Sequence, residues 1–299
     1  MIDTSSVDYI QSIKTIVIIY ESRYYDLFSL LKDKTYNKII MGEIIWFMSL
    51  IKYLNTQKNV KIIHCLNNVN FMLNLEKYRF HNTFFIMDHQ TIPETIKFIN
   101  LNKTYCMCYW GNTNIKYLSL KNVLTPFDYK NNTTYLGFNL DILCPKINTN
   151  KYNNIGLLWG KNSEYINIKL VKFLCSKGII FYATTNIKLD IEGVIHLGIM
   201  PNNEWYQLLH DVKFILGSGH PINGPTILEA IYYKTLIFCP KSQIQPFIYN
   251  SNNIINIDNF DKDEIYNKIK NIQYKKCIKT DTLCNSYLFG KRVQKIFNL

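Results

Sequence analysis

Residues 214–241 hold the chain's densest chemistry. An apolar run from Phe214 to Leu216 opens into a loop with Gly217, Gly219, His220, Gly224 and Pro225, and a helical pattern starts at Thr226 with Glu229 one turn inside it. Glycines let a backbone turn tightly and approach a ligand, and the free N–H groups of a helix start favour an anion. Thr226 is placed to cap that helix. Glu229 would then face whatever the loop holds, and a carboxylate beside an anion suits sugar hydroxyls better than phosphate oxygens. The segment predicts a nucleotide-diphosphate site with a ribose clamp; the bland alternative is an ordinary Gly-Pro turn in a doubly wound domain. The spacing G-x-G-x-x-x-x-G from Gly217 is not a dinucleotide fingerprint, and no Lys-Ser/Thr follows to make a P-loop. His220 can donate to a phosphate or simply brace its loop.

The elements that must position these residues alternate along the chain. Strands are expected at Thr15–Tyr20, Lys61–Cys65, Phe84–Asp88 and Thr104–Tyr109, with helices at Glu43–Leu54, Val69–Tyr78 and Pro93–Ile99. A second half repeats the pattern with strands at Ile155–Trp159, Ile179–Ala183, Val194–Leu197, Phe214–Leu216, Leu236–Cys239 and Ile254–Ile257, and helices at Glu164–Ser176, Asn203–Val212, Thr226–Tyr233 and Asp263–Ile269. Alternation of this kind predicts parallel sheets and two Rossmann-like domains. Their bounds are 1–140 and 155–282, with 141–154 as a linker rich in Asn, Lys and Pro and 283–299 as a closing helix. Ligands of open parallel sheets sit at the carboxyl ends of the strands, where the loops from Gly160 and Gly217 both fall. Lys161 is there a candidate for diphosphate charge, or an ordinary solvated lysine. Lys241, behind Pro240 and the next strand, can reach a leaving group.

The order strand, Gly217-x-Gly219-x-Pro221-x-x-Gly224-Pro225-x-x-Leu228-Glu229-Ala230, helix, strand, Pro240-Lys241 resembles the donor-binding half of the N-acetylglucosaminyltransferase V family, glycosyltransferase family 18. Leu157 to Lys161 resembles the strand-Gly-Lys that opens that family's C-terminal domain. Leu124 to Phe127 through Thr134 to Phe138 resembles its interdomain segment, and Gly42-Glu43 resembles a Gly-Glu at the head of an N-terminal-domain helix. The resemblance implies a GT-B architecture, two Rossmann-like domains facing an interdomain cleft, with the last helix crossing back to the first domain. It also implies an inverting, metal-independent transferase that carries a sugar, here N-acetylglucosamine from UDP-GlcNAc, to a glycan or glycoprotein acceptor.

Transfer from a nucleotide sugar needs a base for the acceptor hydroxyl's proton and something to offset charge on the departing diphosphate. The resemblance places the catalytic carboxylate at Glu43. The alternative is a helix-start glutamate complementing the macrodipole, worth about 0.3 to 1 kcal/mol. Asp88, ending a strand beside His89, is the reserve base; it can equally cap the helix at Pro93 or bind acceptor. Asp261-Lys262-Asp263 spells the D-x-D of metal-dependent transferases, yet it opens a charged helix far along the chain from the glycine loop, where capping is the expectation. No metal site and no cofactor beyond the donor are expected. Two other classes stay open: a nucleotide-sugar or glycan-binding protein that has lost turnover, and a related nucleotide-sugar enzyme such as an epimerase.

Composition bounds the rest. A chain of 299 residues, 47% hydrophobic, is long enough for two buried cores. The net charge of +12 comes with lysine far above arginine, abundant Asn, Ile and Tyr, and alanine only at 183 and 230, which points to an AT-rich genome. No basic run or aromatic RNA-binding motif gathers that charge, so nucleic acid is not an expected partner. The eight cysteines lack C-x-x-C pairing and sit in apolar runs, so reduced thiols are expected. No segment approaches the roughly 20 apolar residues of a membrane span. A cytoplasmic protein is therefore expected, where members of the family are Golgi membrane proteins with disulfides.

Overall fold

Thr15 to Ile19 is an unbroken run of β-branched residues that offers water nothing on either face, the mark of a parallel strand covered on both sides. The computed structural model describes residues 13–19, 42–65, 83–88, 99–111, 115, 117–147, 155–160, 162–217, 225–241, 253–272 and 285–299. Among them, that run is β1 (Lys14–Ile19), and Ile16, Val17, Ile18 and Ile19 are completely buried. Each such side chain contributes about 1.5 to 3 kcal/mol of burial. Helix α1 (Gly42–Asn55) follows, then β2 (Val60–Cys65), β3 (Thr83–Asp88), β4 (Thr104–Met107), β5 (Val123–Thr125), β6 (Thr134–Tyr135) and a short α2 (Leu140–Leu143). All six strands are parallel, in the order β2-β1-β3-β4-β5-β6. The stretch expected between the domains thus supplies the last two strands of this sheet.

The second sheet is built by β7 (Ile155–Trp159), α3 (Ile168–Ser176), β8 (Ile180–Ala183), β9 (Val194–His196), α4 (Asn202–Asp211), β10 (Phe214–Gly217), α5 (Thr226–Tyr232), β11 (Leu236–Cys239), β12 (Ile254–Asn256) and α6 (Lys262–Lys270). Its strands are parallel in the order β12-β11-β10-β7-β8-β9, the doubly wound order of a Rossmann sheet. One face carries Leu158, Phe181, Phe214, Leu216 and Phe238 against Leu170, Val171 and Leu174 of α3 and Ile265 and Ile269 of α6. Phe214 stands edge-on between Phe181 and Phe238, at 5.7 and 5.6 Å, a geometry that adds to area burial.

A last helix, α7 (Ser286–Phe297), belongs with the first sheet. Its Phe297 meets the edges of Phe84 and Tyr105, the Tyr105 hydroxyl donates to the Ile296 carbonyl, and Arg292 donates to the Leu136 carbonyl while lying over the Tyr135 ring. The chain accordingly forms two compact units, one containing residues 43–143 and 285–299, the other residues 144–284. In the segment expected as a linker, α2 belongs to the first unit, and the Pro145 carbonyl accepts from the Tyr233 hydroxyl in the second.

Several local expectations shift. The helix expected from Glu164 begins only at Ile168, because Ser163–Tyr165 forms a separate 3-10 turn and the Asn167 side chain accepts from the Leu170 N–H as the true cap. The helix at Glu43, whose sequence reads as amphipathic, is buried nearly all round: Ile44 to Ile51 are all buried, and the one polar member, Ser49, bonds its own helix at the Trp46 carbonyl. Asp261 caps α6 in a full capping box, accepting from the Glu264 N–H while Glu264 accepts from the Asp261 N–H. The helix expected at 69–78 lies outside the described residues, as does the one expected at 93–99 except for Ile99, which is in a bend. Among the described residues, the six cysteines are free thiols and no helix is long and apolar enough to cross a membrane.

Candidate functional site

Strands β7 and β10 are neighbours whose connections run to opposite halves of the second sheet, so the switch point where such sheets bind ligands lies at their carboxyl ends. Trp159 and Gly217 are in register there, and Gly160 follows Trp159 directly off the end of β7. The two glycines answer different needs. A Cβ on Gly217 would sit 2.8 Å from Trp159 Cε3, so the bare backbone at 217 is demanded by that indole. A Cβ on Gly160 would meet only Ile166 Cδ1 at 3.4 Å and the Asn162 carbonyl oxygen at 3.7 Å, which is ordinary contact. Nothing in the described protein forbids a side chain there. Lys161, Gly219, His220 and Gly224 lie outside the described residues.

Helix α5 starts with Thr226 already inside its first turn. Pro225 occupies the capping position and no side chain caps the helix, which corrects the role expected of Thr226: Thr226 is already a helical residue, and Pro225 has no side-chain acceptor to offer the free N–H groups. Glu229 is 1% exposed at the end of the first turn of α5, between Leu228 and Ala230, both fully buried. Its Oε2 accepts from the Trp205 indole N–H on α4 at 2.9 Å, and its Oε1 has no hydrogen-bond partner among the described residues. Burial pushes the Glu229 carboxyl up to about 7, and the neighbouring Trp205 and Tyr206 side chains pull in the opposite direction. Tyr206 is itself held well above the usual phenol range, by burial first and then by the Glu229 charge. The wall behind it is aromatic: Tyr233 lies 6.3 Å from Tyr206 and edge-on to His210, whose Nδ1 is 3.0 Å from Asp211 Oδ1. Lys241 is exposed beyond β11, and its backbone N–H donates to Asp258 Oδ2. A carboxylate so enclosed, with one oxygen spoken for and the other bare, is chemically an acceptor for a hydroxyl donor.

In the first unit, Glu43 is the second residue of α1 and half-buried. Its Oε1 accepts from the Trp110 indole N–H at 3.1 Å. Trp110 is a residue the sequence reading passes over, although a Trp-Gly pair just past the carboxyl end of β4 stands where such sheets carry function. It is 52% exposed, yet its turn is braced: Tyr109 packs edge-on to both Trp110 and Trp46, the Tyr129 hydroxyl donates to the Tyr109 carbonyl, and Asn131 donates to the Gly111 carbonyl. Trp46, one turn below Glu43, is pinned by donating to the Gly137 carbonyl at 2.9 Å. Asp88 ends β3 in register with Met107, at the carboxyl edge of the same sheet; its side chain lies outside the described residues. Among the described residues no cluster of His, Cys, Asp or Glu could hold a metal ion.

The family model of glycosyltransferase family 18 matches residues 55–264, a span that takes in Trp110, Gly217 and Glu229 and begins after Glu43. Mouse and human alpha-1,6-mannosylglycoprotein 6-beta-N-acetylglucosaminyltransferase B are each 27% identical over 134 residues, covering 41% of this chain and 16% of the relative. The aligned region is therefore less than a fifth of those proteins. Among solved structures, AviGT4, a glycosyltransferase involved in avilamycin A biosynthesis, superposes with a TM-score of 0.61 at 7% identity over 95% of this chain and 97% of that one. The UDP-GlcNAc 2-epimerase of Methanocaldococcus jannaschii gives 0.58 at 12% identity over 96% and 99%. These likenesses carry the fold, which is GT-B.

Proposed function

This chain belongs to glycosyltransferase family 18, and from that premise we propose that it is an inverting, metal-independent glycosyltransferase carrying N-acetylglucosamine from UDP-GlcNAc to a glycan or glycoprotein acceptor. The observation that carries the reading is a braced, half-buried carboxylate in one unit, Glu43 on Trp110, alongside a buried carboxylate with a bare oxygen in the other, Glu229 on Trp205. The second unit holds the donor. Glu229 takes a ribose hydroxyl on Oε1, the glycine loop follows the switch-point strand, and Lys161 and Lys241 offset diphosphate charge. Glu43 in the first unit removes the proton from the acceptor hydroxyl as that oxygen attacks the anomeric carbon from the side opposite the leaving UDP, which inverts it. Asp88 is the reserve for the same task.

Metal independence rests on where the acids are used. Asp261, first of the D-x-D pattern, gives Oδ1 to the capping box of α6, which accounts for an acid at that position without a metal. The test is thermal unfolding with UDP in a chelating buffer: ligand that binds only the folded state raises the melting temperature by mass action. A rise without added metal is expected. A rise seen only with Mn²⁺ or Mg²⁺ overturns the metal-free reading. Release of UDP from UDP-GlcNAc in the presence of a glycan acceptor then separates an enzyme from a binder without turnover.

A further inference from the structure

Building on the donor site just proposed, we infer that Trp205 is a positioning residue for donor binding: by holding Glu229 Oε2 from the neighbouring helix, it fixes the carboxylate so that Oε1 meets the ribose. A buried carboxylate rotates about its last torsion with little hindrance unless something holds one oxygen, and that torsion is broad. The indole N–H at 2.9 Å is such a hold, and it comes from α4, a different helix from the one that carries the glutamate. The carboxylate it fixes is 1% exposed, and its second oxygen has no partner among the described residues. Leaving a buried acceptor without a donor destabilises a fold unless a ligand supplies one. A ribose hydroxyl supplies it.

The hold is also electrostatic. An N–H aimed at a carboxylate favours its charged form, and the charged form is the better acceptor for a hydroxyl. Donor affinity should therefore follow the ionisation of Glu229, whose carboxyl burial places at about 7. The other groups facing this cluster are Tyr206 on α4, Tyr233 just past α5, and Cys144, which faces both tyrosines. The two phenols are held above their usual range and stay protonated through neutrality. His210, paired with Asp211 beside Tyr233, is the neighbour that a control must set apart.

The experiment measures UDP-GlcNAc affinity by calorimetry from about pH 5 to about pH 9, a range that brackets both the ordinary and the raised carboxyl. Both phosphates of this probe are diesterified and hold constant charge there. Wild type should lose affinity on acidification, with a midpoint near 7. Trp205→Phe, which keeps the ring and removes the N–H, should move that midpoint upward by about one pH unit and weaken binding about fivefold at neutrality. Glu229→Gln should abolish the pH dependence; persistence of the midpoint in that variant places it on another group and overturns the proposal. An unshifted midpoint in Trp205→Phe overturns it as well, leaving Trp205 as packing. Should Trp205→Phe fail to fold, the indole N–H resonance of Trp205 in the wild type decides: it should titrate with the same midpoint as donor affinity, and a resonance indifferent to pH overturns the hold. Wild type that binds UDP-GlcNAc at no pH sinks the donor-site reading itself and this inference with it.

Discussion

Glu43 and Glu229 are nearly the same construction in two different surroundings. Each sits in the first turn of a helix, and each gives one carboxylate oxygen to an indole N–H from another element, at 3.1 and 2.9 Å. What separates them is the tryptophan's exposure and their own. Trp110 is half-exposed and Glu43 half-buried, whereas Glu229 is sealed between α4 and α5. The same pair of groups thus yields an open carboxylate that reactants can approach and an enclosed one whose proton is held by burial. A proton acceptor in a transfer reaction needs the first; a hydroxyl clamp that must discriminate tolerates the second.

The sharpest way to break the comparison is to take the proton-accepting power from the open member. Glu43→Gln preserves shape and the Trp110 contact but cannot act as base, so transfer should fall roughly 10² to 10⁴-fold, while affinity for UDP, held in the other unit, stays as it was. Full turnover in this variant would reduce Glu43 to a helix-dipole residue and bring Asp88 forward.

The enclosed member should reveal itself in stability instead. Because the Glu229 carboxyl lies at about 7 in the fold against an ordinary 4.5, its contribution is fully present below about 4.5 and lost as pH rises through about 7. The amplitude is on the order of 3 kcal/mol. Urea unfolding of wild type and Glu229→Gln across that window should show wild type losing ground to the variant as pH rises; parallel curves would mean that Glu229 ionises as freely in the fold as outside it.

The smallest effect belongs to the brace on the open side. Trp110→Phe removes one hydrogen bond to a charged group that solvent can partly replace, worth about 0.5 to 1.5 kcal/mol. Turnover should drop between about twofold and tenfold, with UDP affinity intact. An equal loss in both would place Trp110 in the fold's stability and not in the orientation of Glu43.

Period and punctuation made much of this legible. Runs such as Thr15 to Ile19 and Leu236 to Cys239 could only be buried parallel strands, and Gly42-Glu43 marked its helix start correctly. Short strands were harder. Val123–Thr125 and Thr134–Tyr135 hold too few residues for alternation to register, and their place in the first sheet depends on pairing, β5 with β4 and β6 with β5. Neither indole contact could be read in advance, because Trp110 and Glu43, like Trp205 and Glu229, are far apart in sequence and meet only once sheet and helices are assembled. Gly217 carried a further ambiguity. A glycine reads alike whether a ligand or a neighbouring ring needs the space, and only the position of Trp159 assigns it to the ring.

The return of α7 to the first unit sets an order of events at the ribosome. Residues 144–284 make up nearly all of the second unit, and its Rossmann sheet is complete once β12 and α6 have emerged. The first unit must wait. Phe289, Val293 and Phe297 of its last helix are fully buried, and Phe297 closes on Phe84 and Tyr105. Domains fold as units during synthesis, so the half made first is finished last, and until Phe297 has emerged the Phe84 and Tyr105 rings lack the cover that closes their side of the sheet.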